Sequence, residues 1–399
     1  MLSDFALPPP AADARAHSER VGARIRAEIG AAGGFIPFDR YMELALYAPG
    51  LGYYAAGATK LGAAGDFVTA PEMTPLFARA LAVQVAAILE VTERREIVEL
   101  GAGSGRLAAD LLNALAARDA LPARYSILEP SPDLRERQRV LLARDAAPHL
   151  ARVAWLDALP DTVEGAIVAN EVLDAVPVHV VARRRAEWRE RGVVVGIAAG
   201  DAPPFAWAER PAGARLAALA AARFPGDGDY VSEINPAAEA LVAAVGRKLV
   251  AGAALFIDYG FPAAEYYHPQ RSAGTLMCHY RHRVHDDPFL WPGLTDITAH
   301  VDFSAMAAAG ARTGLTVAGF AAQAPFLLGC GILDALAAIG APESLSYIKA
   351  AAPVQKLLSP AEMGELFKVL ALARSEGIAW PGFALADRSH RLQRPVTGH

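Results

Sequence analysis

Only two cysteines occur in the 399 residues, Cys278 and Cys330, and they form no C-x-x-C pair. That excludes a disulfide framework and a cysteine-built zinc knuckle, and it points to a reducing compartment. Long hydrophobic runs are missing too. The longest charge-free apolar stretch, around Val317 to Leu333, contains Gln323 and Pro325 and breaks at Gly329 and Gly331, so no membrane insertion is expected. The first residues hold no apolar signal core, and Asp4, Asp13, Glu19 and Glu28 argue against a transit peptide. A cytoplasmic location is therefore expected ahead of a mitochondrial matrix one. Excess positive charge is absent as well: 38 Lys and Arg face 43 Asp and Glu, a net charge of -5. The densest basic cluster, Arg183-Arg-Arg185, shares its segment with Glu187 and Glu190, so nucleic acid is not an expected partner. With 53% hydrophobic and 20% charged residues the chain is globular, and it is longer than one average domain.

What is present is a glycine turn. Ile97-Val-Glu-Leu-Gly-Ala-Gly-Ser-Gly-Arg106 is a short apolar run that opens into Gly101, Gly103 and Gly105, followed at once by an Ala- and Leu-rich helical pattern. Alternate glycines let the main chain take positive φ and let a ligand approach where no Cβ stands. A dinucleotide turn asks for G-x-G-x-x-G, but its last glycine position holds Arg106 here. Glu99 lies just before the turn, poorly placed for a pyrophosphate and well placed for a cation. S-adenosylmethionine, with a sulfonium, an ammonium and no phosphate, fits E-x-G-x-G-x-G better; a dinucleotide and a ligand-free turn remain open on these residues alone. Glu129, 24 residues after Gly105, closes the next strand pattern and suits two ribose hydroxyls. Asp157 ends a third strand pattern, where it either accepts from an adenine amino group or is a solvated carboxylate.

Strand and helix signals alternate along the chain. Strands are expected at 97–101, 125–129, 153–157, 165–170, 229–234, 253–259 and 315–323, with helices between them and a hairpin at 179–199. The alternation predicts an α/β fold: a doubly wound, Rossmann-like sheet with an N-terminal helical and loop cap, an inserted hairpin and a C-terminal helical extension. The expected division is a cap over 1–75, a core over 76–330 with insertions at 179–228 and 261–300, and an extension over 331–399.

Ligands in such a sheet lie beyond the carboxyl ends of the strands. The fourth strand ends in Asn170-Glu-Val-Leu-Asp174, so Asn170, Glu171 and Asp174 are candidate catalytic residues facing a methyl donor. A carboxylate there suits a cationic acceptor. A guanidinium stays protonated to a pKa above about 12, and an adjacent carboxylate localises its charge and accepts the proton released as the new bond forms. Helix capping by Asn170 and Glu171 is the plainer alternative. His300 is a candidate base or substrate contact. His279, His282 and His285 recur at three-residue spacing, but no cysteine or carboxylate completes a zinc pattern, and no metal is expected.

Several strings together resemble one family. Pro49-Gly-Leu-Gly-Tyr-Tyr54, Gly65-Asp-Phe-Val-Thr-Ala-Pro-Glu72, the Glu99 to Gly105 turn, Asn170-Glu-Val-Leu-Asp174, Phe256-Ile-Asp-Tyr-Gly260, Asp296-Ile-Thr-Ala-His-Val-Asp-Phe303 and Met363-Gly-Glu-Leu-Phe-Lys368 occur in this order. The chain resembles the MidA-type class I methyltransferases, protein-arginine methyltransferases linked to assembly of respiratory complex I. The resemblance implies S-adenosylmethionine as cofactor and a quinone-module subunit of complex I as protein substrate. The loop Gly65 to Glu72, just before the core, is expected either to fold over the cofactor mouth with Asp66, Thr69 and Glu72 as polar contacts or to be a structural turn capped by Asp66. A methyltransferase for a small molecule or another side chain, and a donor-binding assembly factor with little catalysis, are the alternatives.

Overall fold

The computed structural model describes residues 7–55, 69–196 and 204–393. The chain divides into two compact units. One comprises 1–67, 175–238 and 265–300; the other comprises 68–174, 239–264 and 301–399.

The second unit is built on a largely parallel sheet. Its strands are β1 (Glu96–Leu100), β2 (Arg124–Leu128), β3 (Val153–Leu156), β4 (Val163–Asn170), β5 (Leu249–Phe261), β6 (Thr316–Ala322) and β7 (Phe367–Ala373). Their order is β3-β2-β1-β4-β5-β7-β6, with a two-residue strand at Val301–Asp302 beside the end of β5. The pairs from β3 through β5 are parallel, and β7 is antiparallel to both neighbours. The first five strands thus take the doubly wound order, and the direction of winding reverses between β1 and β4, where such folds hold their ligands.

Helix α1 (Pro75–Glu90) leads into β1, and α2 (Arg106–Ala116) and α3 (Pro132–Asp145) connect β1 to β2 and β2 to β3. Each start is encoded locally. Thr74 caps α1 by accepting from Leu76 N, with Pro75 at the first helical position. Ser131 caps α3 through Leu134 N. Gly105, at φ 89°, turns the chain into α2. The apolar faces of α1 and α2 meet Ile97, Tyr125, Ile127 and Val168 of the sheet in one continuous core. The segment 331–399, expected as a helical extension, holds the helices Ile332–Ala337 and Leu345–Leu358 and also contributes, between β5 and the edge strand β6, the strand β7. Its sequence, Phe-Lys-Val-Leu-Ala-Leu-Ala, is buried at every position, and such a run does not by periodicity distinguish strand from helix.

The first unit has its own core, in which Ile25, Phe38, Tyr41, Val180, Val193 and Ile297 are buried together. Its hairpin, His179–Arg184 with Glu187–Val195, carries three further strands, Ile36–Pro37, Phe205–Pro211 and Tyr230–Ile234. Tyr230–Ile234 was expected to resume the parallel sheet. It pairs antiparallel with His179–Arg184 instead, because alternation announces a strand but not its partner. The segment 261–300, expected as an insertion, contains a three-stranded sheet of Met277–Tyr280, Arg283–His285 and Asp296–Thr298.

Candidate active site at the carboxyl edge of the sheet

The carboxyl ends of β1 to β5 bring most of the expected residues to one edge. After β1, Gly101, Gly103 and Gly105 have φ of 64°, 53° and 89°, the left-handed region that favours glycine. A Cβ on Gly101 would stand 3.2 Å from Val172 Cγ2, so the turn lies against the Asn170–Asp174 loop. Ser104 Oγ donates to Glu72 Oε1 and accepts from Arg106 N at 3.2 Å. Glu72 thus joins the glycine turn to the helical turn Ala70–Met73, for which Thr69 is the N-cap residue. Asp66 lies outside the described residues.

Glu99 is buried on the core side of β1 and accepts from Tyr125 OH at 2.7 Å. Burial raises its carboxyl pKa to about 7, opposed by the Tyr125 bond and reinforced by the charge of Glu129. Glu129, just past β2, is buried with its pKa raised, chiefly by desolvation. Its Oε1 accepts from Ser131 N at 2.9 Å and its Oε2 from Gln138 Nε2 at 3.3 Å. A carboxylate has about four acceptor positions, so capacity for two hydroxyls is left. Asp157, one residue past β3, has a side chain that is 92% exposed and pairs with Arg135 at 2.6 Å.

Gln138 was not singled out by the sequence. It is wholly buried on α3, where Nε2 also donates to Gly103 O at 2.9 Å and Oε1 accepts from Trp155 Nε1 at 2.9 Å. One amide therefore ties the glycine turn, the Glu129 carboxylate and β3 together. Within Arg-Glu-Arg-Gln-Arg it carries no local signal.

At the end of β4, Asn170 Nδ2 donates to Glu171 Oε1 at 3.2 Å. Asp174 is buried and accepts from Tyr259 OH at 2.5 Å. Asp258, near the end of β5, is buried as well. Burial, followed by the charges of Asp174 and Glu171, pushes its carboxyl well above the usual range. Asp174 and Glu171 therefore lie close to Asp258, in the loop beside the glycine turn. His300 belongs to the first unit, where its backbone N–H donates to Thr275 Oγ1 at 3.2 Å and its Nδ1 lies 3.3 Å from Thr275 O.

The donor and acceptor set suits a cation-bearing nucleoside. Glu99 and Glu129 flank the glycine turn, and the adjacent guanidinium, Arg106, is engaged by Asp145 at 2.6 Å and Asp110 at 3.5 Å rather than offered to a phosphate. Asn170 Oδ1 is buried with no protein hydrogen-bond partner at the same edge.

Known proteins point the same way. The sequence signature of a family described as S-adenosyl-L-methionine-dependent methyltransferases matches residues 78–321. A Drosophila melanogaster relative named protein arginine methyltransferase NDUFAF7 homolog, mitochondrial, is 29% identical, with 98% of this chain and 91% of that one aligned. The Mus musculus protein arginine methyltransferase NDUFAF7, mitochondrial, is 30% identical over 85% of this chain and 81% of its own length. A Burkholderia thailandensis protein solved with S-adenosyl-homocysteine bound superposes with a TM-score of 0.92 at 52% identity, covering 96% of this chain and 100% of the other. The chain belongs to this S-adenosyl-L-methionine-dependent methyltransferase family, and S-adenosylmethionine is its cofactor.

Proposed function

We propose that the chain methylates an arginine of a protein, and that Glu171 is the carboxylate that meets the guanidinium. The observation that carries this reading is the placement of Glu171 and Asp174 in the loop that packs against Gly101 of the glycine turn. Negative charge on the partly exposed Glu171, close to the buried Asp174, is unfavourable until a cation joins it. The names of the relatives, protein arginine methyltransferases, support the same acceptor.

The bound cofactor supplies an electrophilic methyl group on a sulfonium. In this reading the main chain of Gly101, Gly103 and Gly105 admits it, Glu129 accepts from its ribose hydroxyls and Asp157 from its adenine amino group. Glu99, buried behind the turn, sets a negative potential for its positive groups. Thr69 adds to its polar surroundings. Glu171, held by Asn170, localises the guanidinium charge on the far nitrogens, leaves one nitrogen lone pair for attack and accepts the proton as the N–C bond forms. Asp174 offsets the remaining charge of the acceptor, and His300 contacts the substrate chain.

The acceptor protein in this proposal is a quinone-module subunit of respiratory complex I, as the family strings imply. A cytoplasmic setting accords with two free cysteines. Among the described residues no helix is long and apolar enough to cross a membrane.

The test is transfer of label from methyl-labelled S-adenosylmethionine to the purified subunit, followed by hydrolysis and amino-acid analysis. Labelled methylarginine is expected, with Glu171→Gln on the order of 100-fold slower at unchanged donor affinity. Label on a different side chain or a metabolite replaces the arginine reading. Donor binding with no label anywhere makes the chain an assembly factor.

A further inference from the structure

Glu171 sits at φ 54°. A left-handed backbone is unfavourable for a residue with a Cβ, so neighbouring contacts must hold it. The Glu171 N–H donates to Ile257 O at 2.8 Å, continuing the β4–β5 ladder one residue past Asn170. The next three amides, those of Val172, Leu173 and Asp174, converge on one atom, Asp258 Oδ2, at 3.2, 2.9 and 3.2 Å. Asp258 Oδ1 accepts from Tyr259 N at 2.9 Å. Three successive N–H groups around one carboxylate oxygen form an anion nest, and the loop after Glu171 is folded about that oxygen. Tyr259 then clasps the far end of the loop through Asp174.

Aspartate fits this place for a definite reason. A carboxyl group presents two acceptor oxygens, and four amides converge on them here. Asparagine would turn an NH2 group either to Tyr259 N–H or to the three loop amides. The carboxylate also stands beside Asp174 and Glu171, whose charges oppose its own. Lys368 faces Asp258 across the β5–β7 ladder, but its ammonium is directed to the carbonyls of Glu365 and Leu366.

We infer that Asp258 is a positioning residue for methyl transfer: by gathering the amides of residues 172–174 it keeps Glu171 left-handed and aimed at the acceptor, and it acts on the reaction only through Glu171. The inference rests on the role proposed for Glu171 and adds the residue that enforces it.

A crystal structure of Asp258→Asn tests the geometric half. Glu171 is expected to leave the left-handed region, and an unchanged positive φ there overturns the inference. Kinetics with the complex I subunit as acceptor test the functional half. Asp258→Asn is expected to lose on the order of 100-fold in kcat, with the calorimetric Kd for S-adenosylmethionine within about twofold of the parent. The double variant with Glu171→Gln is expected to be no slower than Glu171→Gln alone, because a residue acting through another adds nothing once that other is gone. Multiplying losses, or full kcat in Asp258→Asn, overturn the inference. A fully active Glu171→Gln removes the role of Glu171 and this inference with it, and that result is visible before Asp258 is changed. Should Asp258→Asn not fold, Tyr259→Phe removes only the clasp on Asp174. A several-fold loss of kcat that vanishes in the Glu171→Gln background supports the inference, and an equal loss in both backgrounds overturns it.

Discussion

The Tyr125 hydroxyl donates a 2.7 Å hydrogen bond to the Glu99 carboxylate inside the sheet, one strand away from the glycine turn. Desolvation there raises the Glu99 pKa from 4.5 to about 7. A cationic donor favours the ionised form, so its affinity is expected to rise about tenfold from pH 6 to pH 8 and then level off. Calorimetric titration across that range checks this, and Glu99→Gln should bind more weakly with the pH dependence gone.

The same group makes a stability prediction of opposite sign. A carboxyl whose folded pKa is raised favours the native state fully below 4.5, and that contribution is lost as pH climbs to about 7. The loss is about 3 kcal/mol. Glu99→Gln should therefore unfold at a higher temperature than the parent at pH 8 and show little gain at pH 4.5. A gain of equal size at both values would place the effect in packing rather than ionisation.

Gln138 holds three partners that lie far apart in sequence. Gln138→Leu leaves Gly103 O and Trp155 Nε1 without their bonds, at about 1–3 kcal/mol for each buried group left unsatisfied. The expected outcome is a Tm lowered by several degrees and a donor Kd raised about tenfold. A lowered Tm with unchanged Kd would confine Gln138 to a structural role.

The glycine turn predicts a sharper loss. Gly103 has φ 53°, which a β-branched residue rarely adopts. Gly103→Val is expected to abolish donor binding while the core of α1, α2 and the sheet still unfolds cooperatively. Retained affinity in an equilibrium titration would show that the donor does not approach the main chain here.

In the first unit, Gly274 stands against the buried Glu233. A Cβ there would lie 2.2 Å from Glu233 Oε1, and Gly274 has φ 85°. Glu233 accepts from Thr275 N and Thr275 Oγ1, both at 2.9 Å. Gly274→Ala must displace that carboxylate from its donors, and a loss of about 3 kcal/mol or more is expected in denaturant unfolding. A loss under about 1 kcal/mol would mean the loop shifts freely.

Much of the site was legible because its signals are local. The turn from Glu99 to Gly105 carries its conformation in its glycines, and Glu129, Asp157 and Asn170 each close a strand pattern whose observed ends lie within one or two residues of those expected. Glu171 and Asp174 followed from the rule that ligands lie beyond the carboxyl ends of parallel strands. His300, whose segment carries a family string, folds with the first unit, against Thr275.

The sequence by itself determined that a glycine turn opens a doubly wound sheet and that acids gather at its carboxyl edge. Periodicity, glycine and helix caps act over a few residues and need no partner to be read. Only the tertiary structure decided that Tyr230–Ile234 joins an antiparallel sheet, that Phe367–Ala373 lies beside β5, that Gln138 spans three segments and that Asp258 gathers the amides behind Glu171. Each of these is a choice of partner between residues distant in the chain. Such choices are settled by which buried groups can satisfy one another in space, and no short window of residues contains that information.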